Sequence, residues 1–185
     1  MPDSDYIRHL QACIANASDQ RAYKELFYHF YPSLRRFANN LTGKPEIAEE
    51  IVSDVLLKLW TAREKLILIK DLKLYLFKAT KNACLNYINS AVNRKFILTE
   101  DGTEYDEVGF NPESEYIYSE VHQLLLSTIN GLPPKCQMVF RLVKEFGLNY
   151  SQVGQVMQIS QNTIETHMRL ALKKMKAALD AYQQQ

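Results

Sequence analysis

The 185-residue sequence predicts an all-α protein with two helical domains, an N-terminal helix bundle and a C-terminal four-helix domain containing a helix-turn-helix. Three observations support this class. Apolar residues recur at intervals of three and four, which is the period of an amphipathic helix. No segment sustains the apolar and polar alternation of a half-buried strand. An acidic stretch with two glycines and a proline, residues 99–112, has neither period and reads as a linker between the domains.

The N-terminal domain is predicted to contain three helices with apolar stripes. The first stripe covers residues 26–41, and Gly43 and Pro45 terminate its helix. Pro45 also suits the first turn of the second helix, where its missing amide hydrogen has no intrahelical partner to lose. The second stripe covers residues 47–60, and a third helix is predicted over residues 72–90. The three stripes together predict a helix bundle.

The C-terminal domain begins with two predicted helices. The first covers residues 119–129, and the second opens at Pro133-Pro134 and ends near Gly147, which favours a left-handed helix end. The last two helices of the chain, residues 149–157 and 161–176, then complete a four-helix unit.

These last two helices are predicted to form a helix-turn-helix. The first helix of such a unit needs a small residue where the second crosses it, and Gly154 provides one. Ile164 supplies the branched apolar residue that the second helix needs on its inner face. The expected inner face of the second helix is Ile164, Met168, Ala171 and Leu172.

Both helices have marked N-terminal ends. Asn149 followed by Gln152 forms a capping-box pattern, and Ser160 can accept hydrogen bonds from the free amides of the second helix. Gln158 stands in the turn, and a left-handed backbone at this non-glycine residue would cost roughly 1 kcal/mol. We therefore expect a slightly altered turn and an intact motif.

Charge is segregated along the chain, although the formal net charge is only +1. Residues 1–62, 63–98, 99–120 and 121–185 carry net charges of −1, +6, −8 and +4. Two basic segments are separated by an acidic one, so the low net charge is not an argument against a nucleic-acid partner. The alternative is that these charges only solvate the surface.

The sequence predicts no catalytic residue, no metal site and no cofactor. Cys13, Cys84 and Cys136 are dispersed, and neither they nor the four histidines stand at metal-ligand spacing. Asp54 with Glu50 is a close acidic pair on one helical face, and such a pair is more often a solvated stripe or a partner surface than a catalytic site. An enzyme acting on nucleic acid would need paired carboxylates or a metal set.

The chain is predicted to be cytoplasmic, without membrane insertion. No apolar run approaches the ~20 residues that a membrane span requires. The N-terminus also lacks a charged segment followed by an apolar one, the pattern of a secretion signal.

The order of these elements resembles a bacterial RNA polymerase sigma factor of the extracytoplasmic-function (ECF) group. The resemblance rests on the helix-turn-helix and on four segments, residues 23–27 (YKELF), 51–60 (IVSDVLLKLW), 74–79 (LYLFKA) and 132–134 (LPP). Residues 163–167 (TIETH) are most similar to the Bacteroidetes members of that group.

The resemblance implies a role for each part of the chain. Residues 1–95 would form a region 2-like domain that docks on core RNA polymerase and melts the promoter. Residues 96–113 would form the acidic flexible linker, and residues 114–185 a region 4-like domain that binds promoter DNA. An anti-sigma protein is a further partner that exposed polymerase-facing helices would suit.

In the first domain the resemblance implies two groups of site residues. Those for core polymerase are Asp54, Leu57, Lys58 and Trp60. Those for the melted downstream promoter element combine cations with aromatic and amide side chains, which suits a separated strand; they are Lys73, Tyr75, Lys78, Lys81, Asn82, Asn86, Tyr87, Arg94 and Lys95. As alternatives, Trp60, Tyr75 and Tyr87 could be core aromatics. Residues 66–71 resemble a loop that holds an unstacked base, although their apolar side chains could equally pack under the bundle.

In the second domain the helix that starts at Gln161 would read the upstream promoter element in the major groove. Glutamine and asparagine can pair with adenine, arginine with guanine, and glutamate can accept from a cytosine amino group. The expected contacts are Gln161, Asn162, Thr163, Glu165, Thr166, Arg169 and Lys173. The implied function is promoter recognition for core polymerase. The alternative is a stand-alone helix-turn-helix regulator that binds duplex DNA without polymerase.

Overall fold

The computed structural model describes residues 4–98 and 120–183, and the side chains of all of these except Ser4 and residues 91–98. In these residues it contains α-helices, one 3-10 helix and no strand, so the predicted all-α class is confirmed. The elements are α1 (Ser4–Ala17), α2 (Gln20–Thr42), α3 (Pro45–Thr61), the 3-10 helix (Arg63–Leu68), α4 (Leu72–Leu98), α5 (Glu120–Asn130), α6 (Pro134–Lys144), α7 (Tyr150–Met157) and α8 (Gln161–Gln183).

The chain divides into two compact units, Met1–Gly109 and Phe110–Gln185, called unit 1 and unit 2 below. Most of the predicted linker, residues 99–113, lies outside the described residues. Its first three residues, 96–98, belong to α4, which continues past the predicted end at Ser90. Neither glycine nor proline occurs between Ser90 and Leu98, so no residue in this stretch breaks the helix.

Unit 1 is a bundle in which α2 packs against α1, α3 and α4. Phe37 of α2 and Phe77 of α4 are fully buried at its centre, with ring centroids 5.1 Å apart. The predicted end of α2 is confirmed: Gly43 has φ 64°, and Pro45 occupies the first turn of α3. At the start of α2, the Asp19 carboxylate accepts hydrogen bonds from two backbone amides of the first turn.

Two elements of unit 1 were not predicted. α1 has 14 residues and spaces Ile7, Leu10 and Ile14 at three and four, a helical pattern that was not assigned to an element. The 3-10 helix follows α3 directly and packs on α1. That short element depends on a contact between distant parts of the sequence, which periodicity does not reveal.

Unit 2 contains the predicted four helices, with α5, α6 and α7 packed on α8. Its core includes Cys136 and Leu142 of α6, both with no exposed surface. Arg141 is also buried, and its guanidinium donates to a Glu145 oxygen at 2.8 Å and to the Asn130 side-chain oxygen at 3.0 Å. This network ties the end of α5 to α6 and satisfies a charge that would be costly to bury alone.

The helix-turn-helix has the predicted local geometry. The Asn149 and Gln152 capping box is present, and the Thr163 amide donates to the Ser160 hydroxyl at 3.2 Å. A Cβ atom on Gly154 would lie 3.1 Å from the Ile159 carbonyl oxygen in the turn and 3.6 Å from the Ile164 side chain of α8, so this position favours a small residue. Gln158 has a regular left-handed backbone, with φ 58° and ψ 45°, so the expectation of an altered turn is wrong and the motif is intact.

One assignment to the inner face of α8 is wrong. Ile164, Met168 and Ala171 are buried, whereas Leu172 is 48% exposed. At about 100° per residue, Leu172 lies roughly 80° around the helix from Ile164, while Met168 and Ala171 lie within about 40° of it. Leu172 therefore faces solvent.

Candidate functional site

The outer face of α3 carries the residues expected to meet a partner. Asp54 and Lys58 are exposed, and Leu57 is 59% exposed although it is a large apolar residue. The side chains on the opposite face, which are buried in the core, are Val55, Leu56 and Leu59. The structure thus places three of the four expected docking residues together on one accessible surface.

Trp60, the fourth docking residue, is half-buried. Its ring lies 4.8 Å from the Tyr23 ring, and the Arg63 guanidinium lies 5.2 Å from its centroid. Tyr23 donates to the Leu56 carbonyl oxygen at 2.9 Å, and burial raises the pKa of the Tyr23 hydroxyl. Arg63 is held by the Ser18 hydroxyl at 2.8 Å. The indole is therefore fixed between a ring and a cation, partly covered and partly open.

Aromatic side chains of α2 extend this surface. The Phe27 and Tyr31 rings are stacked with centroids 5.0 Å apart, and Tyr28 is 64% exposed with the Lys24 ammonium 5.9 Å from its centroid. We call the aromatic patch Tyr23, Phe27, Tyr28, Tyr31 and Trp60. The α2 members of this patch were not predicted to be site residues. The available signal was four aromatic residues between 23 and 31 that lie outside the buried stripe of Leu26 and Phe30.

The exposed face of α4 carries the residues expected to meet a separated DNA strand. Exposed members of this group are Tyr75, Lys78, Asn82 and Asn86. Tyr75 is 46% exposed, so its alternative assignment to the core is wrong. A shallow pocket of about 480 Å³ is lined by Asp71, Leu74, Tyr75, Lys78, Ala79 and Asn82. Two other expected residues lie on α4 outside the described side chains, namely Arg94 and Lys95.

Three further residues of α4 are only partly accessible. Lys73, Lys81 and Tyr87 are half-buried. Burial lowers the pKa of the Lys73 ammonium, against the opposing effect of the Asp71 carboxylate. Burial also lowers the pKa of Lys81. These two cations are thus less well solvated than an exposed lysine, and an anion placed beside them would regain part of what burial costs.

Residues 66–71, which run from the end of the 3-10 helix to the start of α4, include both buried and exposed apolar side chains. Leu66 is fully buried, as expected if the loop packs under the bundle. Ile67 and Leu68 are 54% and 75% exposed, as expected if the loop presents an apolar surface to a ligand.

The first four turns of α8 present the expected reading face. Every member of the group is exposed: Gln161, Asn162, Thr163, Glu165, Thr166, Arg169 and Lys173. Some of their polar atoms already have partners within the helix. The Gln161 amide nitrogen donates to a Glu165 oxygen at 3.0 Å, and the Thr166 hydroxyl donates to the Asn162 carbonyl oxygen at 2.9 Å. The N-terminal part of a second helix-turn-helix helix is the part that enters the major groove.

The described residues offer little for metal or thiol chemistry. They contain no group of three histidine, cysteine, aspartate or glutamate side chains placed to hold a metal ion. Cys84 is buried, and burial raises the pKa of its thiol to about 12. In the described ranges, 4–98 and 120–183, no helix is both long and apolar enough to cross a membrane.

Comparison with known families assigns both units. Residues 26–94, from within α2 into α4, match Sigma-70 region 2, and residues 122–175, from α5 into α8, match Sigma-70, region 4. Together the two matches cover more than half of the chain, in the order that the resemblance implied. The chain belongs to the sigma-70 family. The ECF RNA polymerase sigma-E factor of Haemophilus influenzae is 27% identical to this sigma factor over 103 residues, which are 51% of this chain and 54% of that protein. The chain thus spans about half the length of this curated relative, and the match supports the ECF group within the family.

Two solved structures share the fold of this sigma factor. CnrH, in complex with the cytosolic domain of CnrY, is 20% identical with a TM-score of 0.58, covering 97% of this chain and 99% of that one. The sigma factor RpoE of Bartonella quintana, in complex with the anti-sigma factor NepR, is 23% identical with a TM-score of 0.61, covering 85% and 96%. At these identities the likeness establishes the helical fold alone.

Proposed function

We propose that this sigma factor directs core RNA polymerase to specific promoters by sequence-specific DNA binding. One observation carries the proposal: two sigma-70 regions match in family order, and each matched region presents an accessible face of the required chemistry. Unit 1 presents an apolar and charged surface on α3, and unit 2 presents polar readers at the start of α8. Residues 1–95 would be the polymerase-docking and melting domain, residues 96–113 the linker and residues 114–185 the upstream DNA-binding domain.

The proposed polymerase surface is the outer face of α3 together with the aromatic patch. Leu57 is an exposed leucine between Asp54 and Lys58, and Trp60 is held rigidly beside it by Tyr23 and Arg63. Rigid aromatic and arginine side chains around an apolar centre are typical of the residues that dominate protein interfaces. An anti-sigma protein is a proposed competitor for this surface, since RpoE, a fold relative, is described with one.

The proposed downstream surface is α4. Lys73, Lys78 and Lys81 would neutralise phosphates, and Tyr75 offers a ring face beside the pocket on which an unstacked base could lie. Further contacts would come from Asn82, Asn86, Tyr87, Arg94 and Lys95. This combination of cations and aromatic rings suits a single strand better than an intact duplex.

The proposed upstream surface is α8. Arg169 would pair with a guanine, and Gln161 or Asn162 with an adenine. The hydrogen bond from Gln161 to Glu165 leaves one amide hydrogen and the amide oxygen of Gln161 for a base. Glu165 would accept a hydrogen bond from a cytosine amino group. The remaining proposed contacts are Thr163, Thr166 and Lys173.

Three finer statements complete the proposal. The chain is a Bacteroidetes-type member of the ECF group, on the similarity of residues 163–167. It is a non-enzymatic subunit, so that catalysis belongs to the polymerase. It acts in the cytoplasm, where core polymerase and promoter DNA are found.

The test is co-elution of the full chain with purified core polymerase on a sizing column. Asp54→Ala combined with Leu57→Ala removes two exposed side chains from the docking face without touching the core. Glu46→Ala, an exposed acidic residue more than two turns earlier on α3, is the matched control. We expect the wild type and the control to co-elute with polymerase and the double variant to lose at least about tenfold in affinity.

Two other outcomes of this experiment would change the proposal. A wild-type chain that fails to bind polymerase, and instead forms a dimer that binds specific duplex DNA unaided, would replace the proposal with the stand-alone regulator. Retained binding by the double variant would remove α3 from the interface while leaving the family function in place.

A further inference from the structure

The apolar turn, residues 66–69, exposes side chains that a folded chain normally buries. Ile67 and Leu68 point to solvent, while Leu66 is fully buried beside them. The sequence of the turn, Leu-Ile-Leu-Ile, has no polar side chain to favour this arrangement. Burial of a free apolar turn would be favourable, so its exposed geometry needs a specific restraint.

Gln11 of α1 supplies that restraint. Its side chain is only 3% exposed, and its amide nitrogen donates to the carbonyl oxygens of Leu66 at 2.8 Å and Ile69 at 3.0 Å. Both hydrogens of the amide nitrogen are therefore used, and both bonds connect residues more than fifty positions apart. The Ile69 amide donates to the same Leu66 oxygen at 3.0 Å, which closes the turn.

A groove of about 410 Å³ lies where α1 meets the turn. It is lined by Arg8, Gln11, Ala12, Ile67, Ile69 and Lys70. Its walls are largely apolar, and the cations Arg8 and Lys70 lie among them. Apolar surface beside cations is the chemistry that receives a nucleotide, with the base on the apolar side chains and the phosphate on the cations.

We propose that Gln11 is a positioning residue, which holds the apolar turn in the geometry that discriminates one base of the melted promoter strand. Gln11 acts through Leu66 and Ile69 and sets where Ile67 stands relative to Lys70. This inference rests on the proposed function of unit 1. It extends promoter reading to α1, which precedes the residues that match Sigma-70 region 2.

The first experiment measures the turn itself in the full chain. Gln11→Met keeps the length of the side chain and removes both donors. Thr42→Val is the matched control, since it removes another buried donor of unit 1, which bonds to the Ala38 carbonyl oxygen at 3.0 Å. Limited trypsin digestion reports cleavage after Lys65 and Lys70, on either side of the turn. We expect Gln11→Met to speed cleavage at these two sites by about tenfold, and Thr42→Val to leave their rates unchanged relative to other sites.

If Gln11→Met accelerates cleavage at every site, it has unfolded the unit, and Gln11→Asn takes its place. Asparagine keeps an amide but is one methylene too short to reach both carbonyl oxygens. Wild-type cleavage rates after Lys65 and Lys70 in a folded variant would overturn the restraint.

The second experiment separates positioning from general stability. The wild-type chain with core polymerase selects open complexes from a DNA duplex library randomised across the promoter, and each variant is compared on the enriched positions. Positioning predicts that Gln11→Met loses about tenfold in preference at one or two adjacent downstream positions and keeps all upstream preferences. A uniform loss, or unchanged preferences, would overturn the proposal while leaving the proposed function intact. Absence of polymerase-dependent enrichment by the wild type would instead refute the proposed function, and this inference with it.

Discussion

The two surfaces that we propose to bind DNA differ in how deeply they are set into their units. On α8 of unit 2 every proposed contact is exposed, from Gln161 to Lys173. On α4 of unit 1 the proposed contacts include Lys73, Lys81 and Tyr87, which are half-buried, and burial lowers the pKa of both lysines. The α8 surface is fully exposed on unit 2, whereas the α4 surface is partly packed against the rest of unit 1.

This difference determines what a mutation can reveal. Exposed side chains contribute little to folding, so their replacement in unit 2 should change DNA recognition and leave stability within about 0.5 kcal/mol. Half-buried side chains of unit 1 contact the bundle as well as solvent, so their replacement should change both. Recognition and stability are thus separable in unit 2 and mixed in unit 1.

The largest effect is expected from Ile164→Ala, directly beneath the reading face. Ile164 is fully buried in unit 2, and removing such a side chain costs about 2–5 kcal/mol. Trp60 is the only tryptophan and lies in unit 1, so its fluorescence reports that unit, while far-UV circular dichroism reports the helices of both. When the variant is unfolded with urea, we expect part of the dichroism transition to occur at a lower urea concentration than in the wild type. The midpoint of the Trp60 fluorescence transition should be unchanged.

Leu56→Ala is the reciprocal control for Ile164→Ala, since it removes an equally buried side chain from unit 1. It should move the fluorescence midpoint. If Ile164→Ala shifted both transitions by the same amount, the two units would unfold as one, and the contrast between them would lose its basis.

A smaller effect is expected from Arg169→Ala, which should relax discrimination at a single upstream base by about 1–3 kcal/mol. Its partner is Lys173→Ala, one turn further along α8 and better placed for a phosphate. That variant should weaken binding to all sequences alike and reduce the salt slope by about 1. Both are measured by titrating promoter variants at several salt concentrations. An equal loss on every sequence for Arg169→Ala would refute base reading at that position.

Local sequence signals predicted the helix ends well. Gly43 with Pro45 and the capping box of Asn149 and Gln152 each depend on residues within four positions of one another, and the structure has both. The exposed face of α3 was predicted for the same reason, because helical period alone separates Leu57 from the buried Leu56. These features follow from the chemistry of short segments.

Features that depend on distant contacts were missed. Gln11 gains a candidate role only because α1 packs on the turn more than fifty residues later in the sequence. No local sequence pattern predicts that role. The aromatic residues of α2 gain a candidate role only when α3 brings Trp60 to Tyr23. Leu172 was misassigned because the apolar residues of α8 occupy a wider part of the helix surface than the part that the other helices of unit 2 bury. Whether the proposed contacts touch DNA or polymerase remains a prediction.

The smallest effect concerns one strained residue in each unit. Among the described residues Ser18 and Gln158 are the non-glycine residues with positive φ, at 50° and 58°. Replacing such a residue with glycine removes about 1 kcal/mol of backbone strain from the folded state. Glycine also gives the unfolded chain more conformational freedom, which cancels about 0.4–1 kcal/mol of this gain in stability. Gln158→Gly should therefore stabilise unit 2 by less than about 1 kcal/mol, measured by the dichroism transition.

Ser18→Gly should behave differently, because the Ser18 hydroxyl accepts the hydrogen bond from Arg63 that orients this cation over Trp60. Loss of that bond costs about 0.5–1.5 kcal/mol, enough to cancel the relief of strain. We expect no gain or a net loss in the Trp60 fluorescence transition. Ser18→Ala retains the strain and removes only the hydroxyl, so it isolates the bond. A stabilising Ser18→Gly, equal to that of Gln158→Gly, would show that the hydroxyl contributes nothing and that Trp60 is not fixed through Arg63.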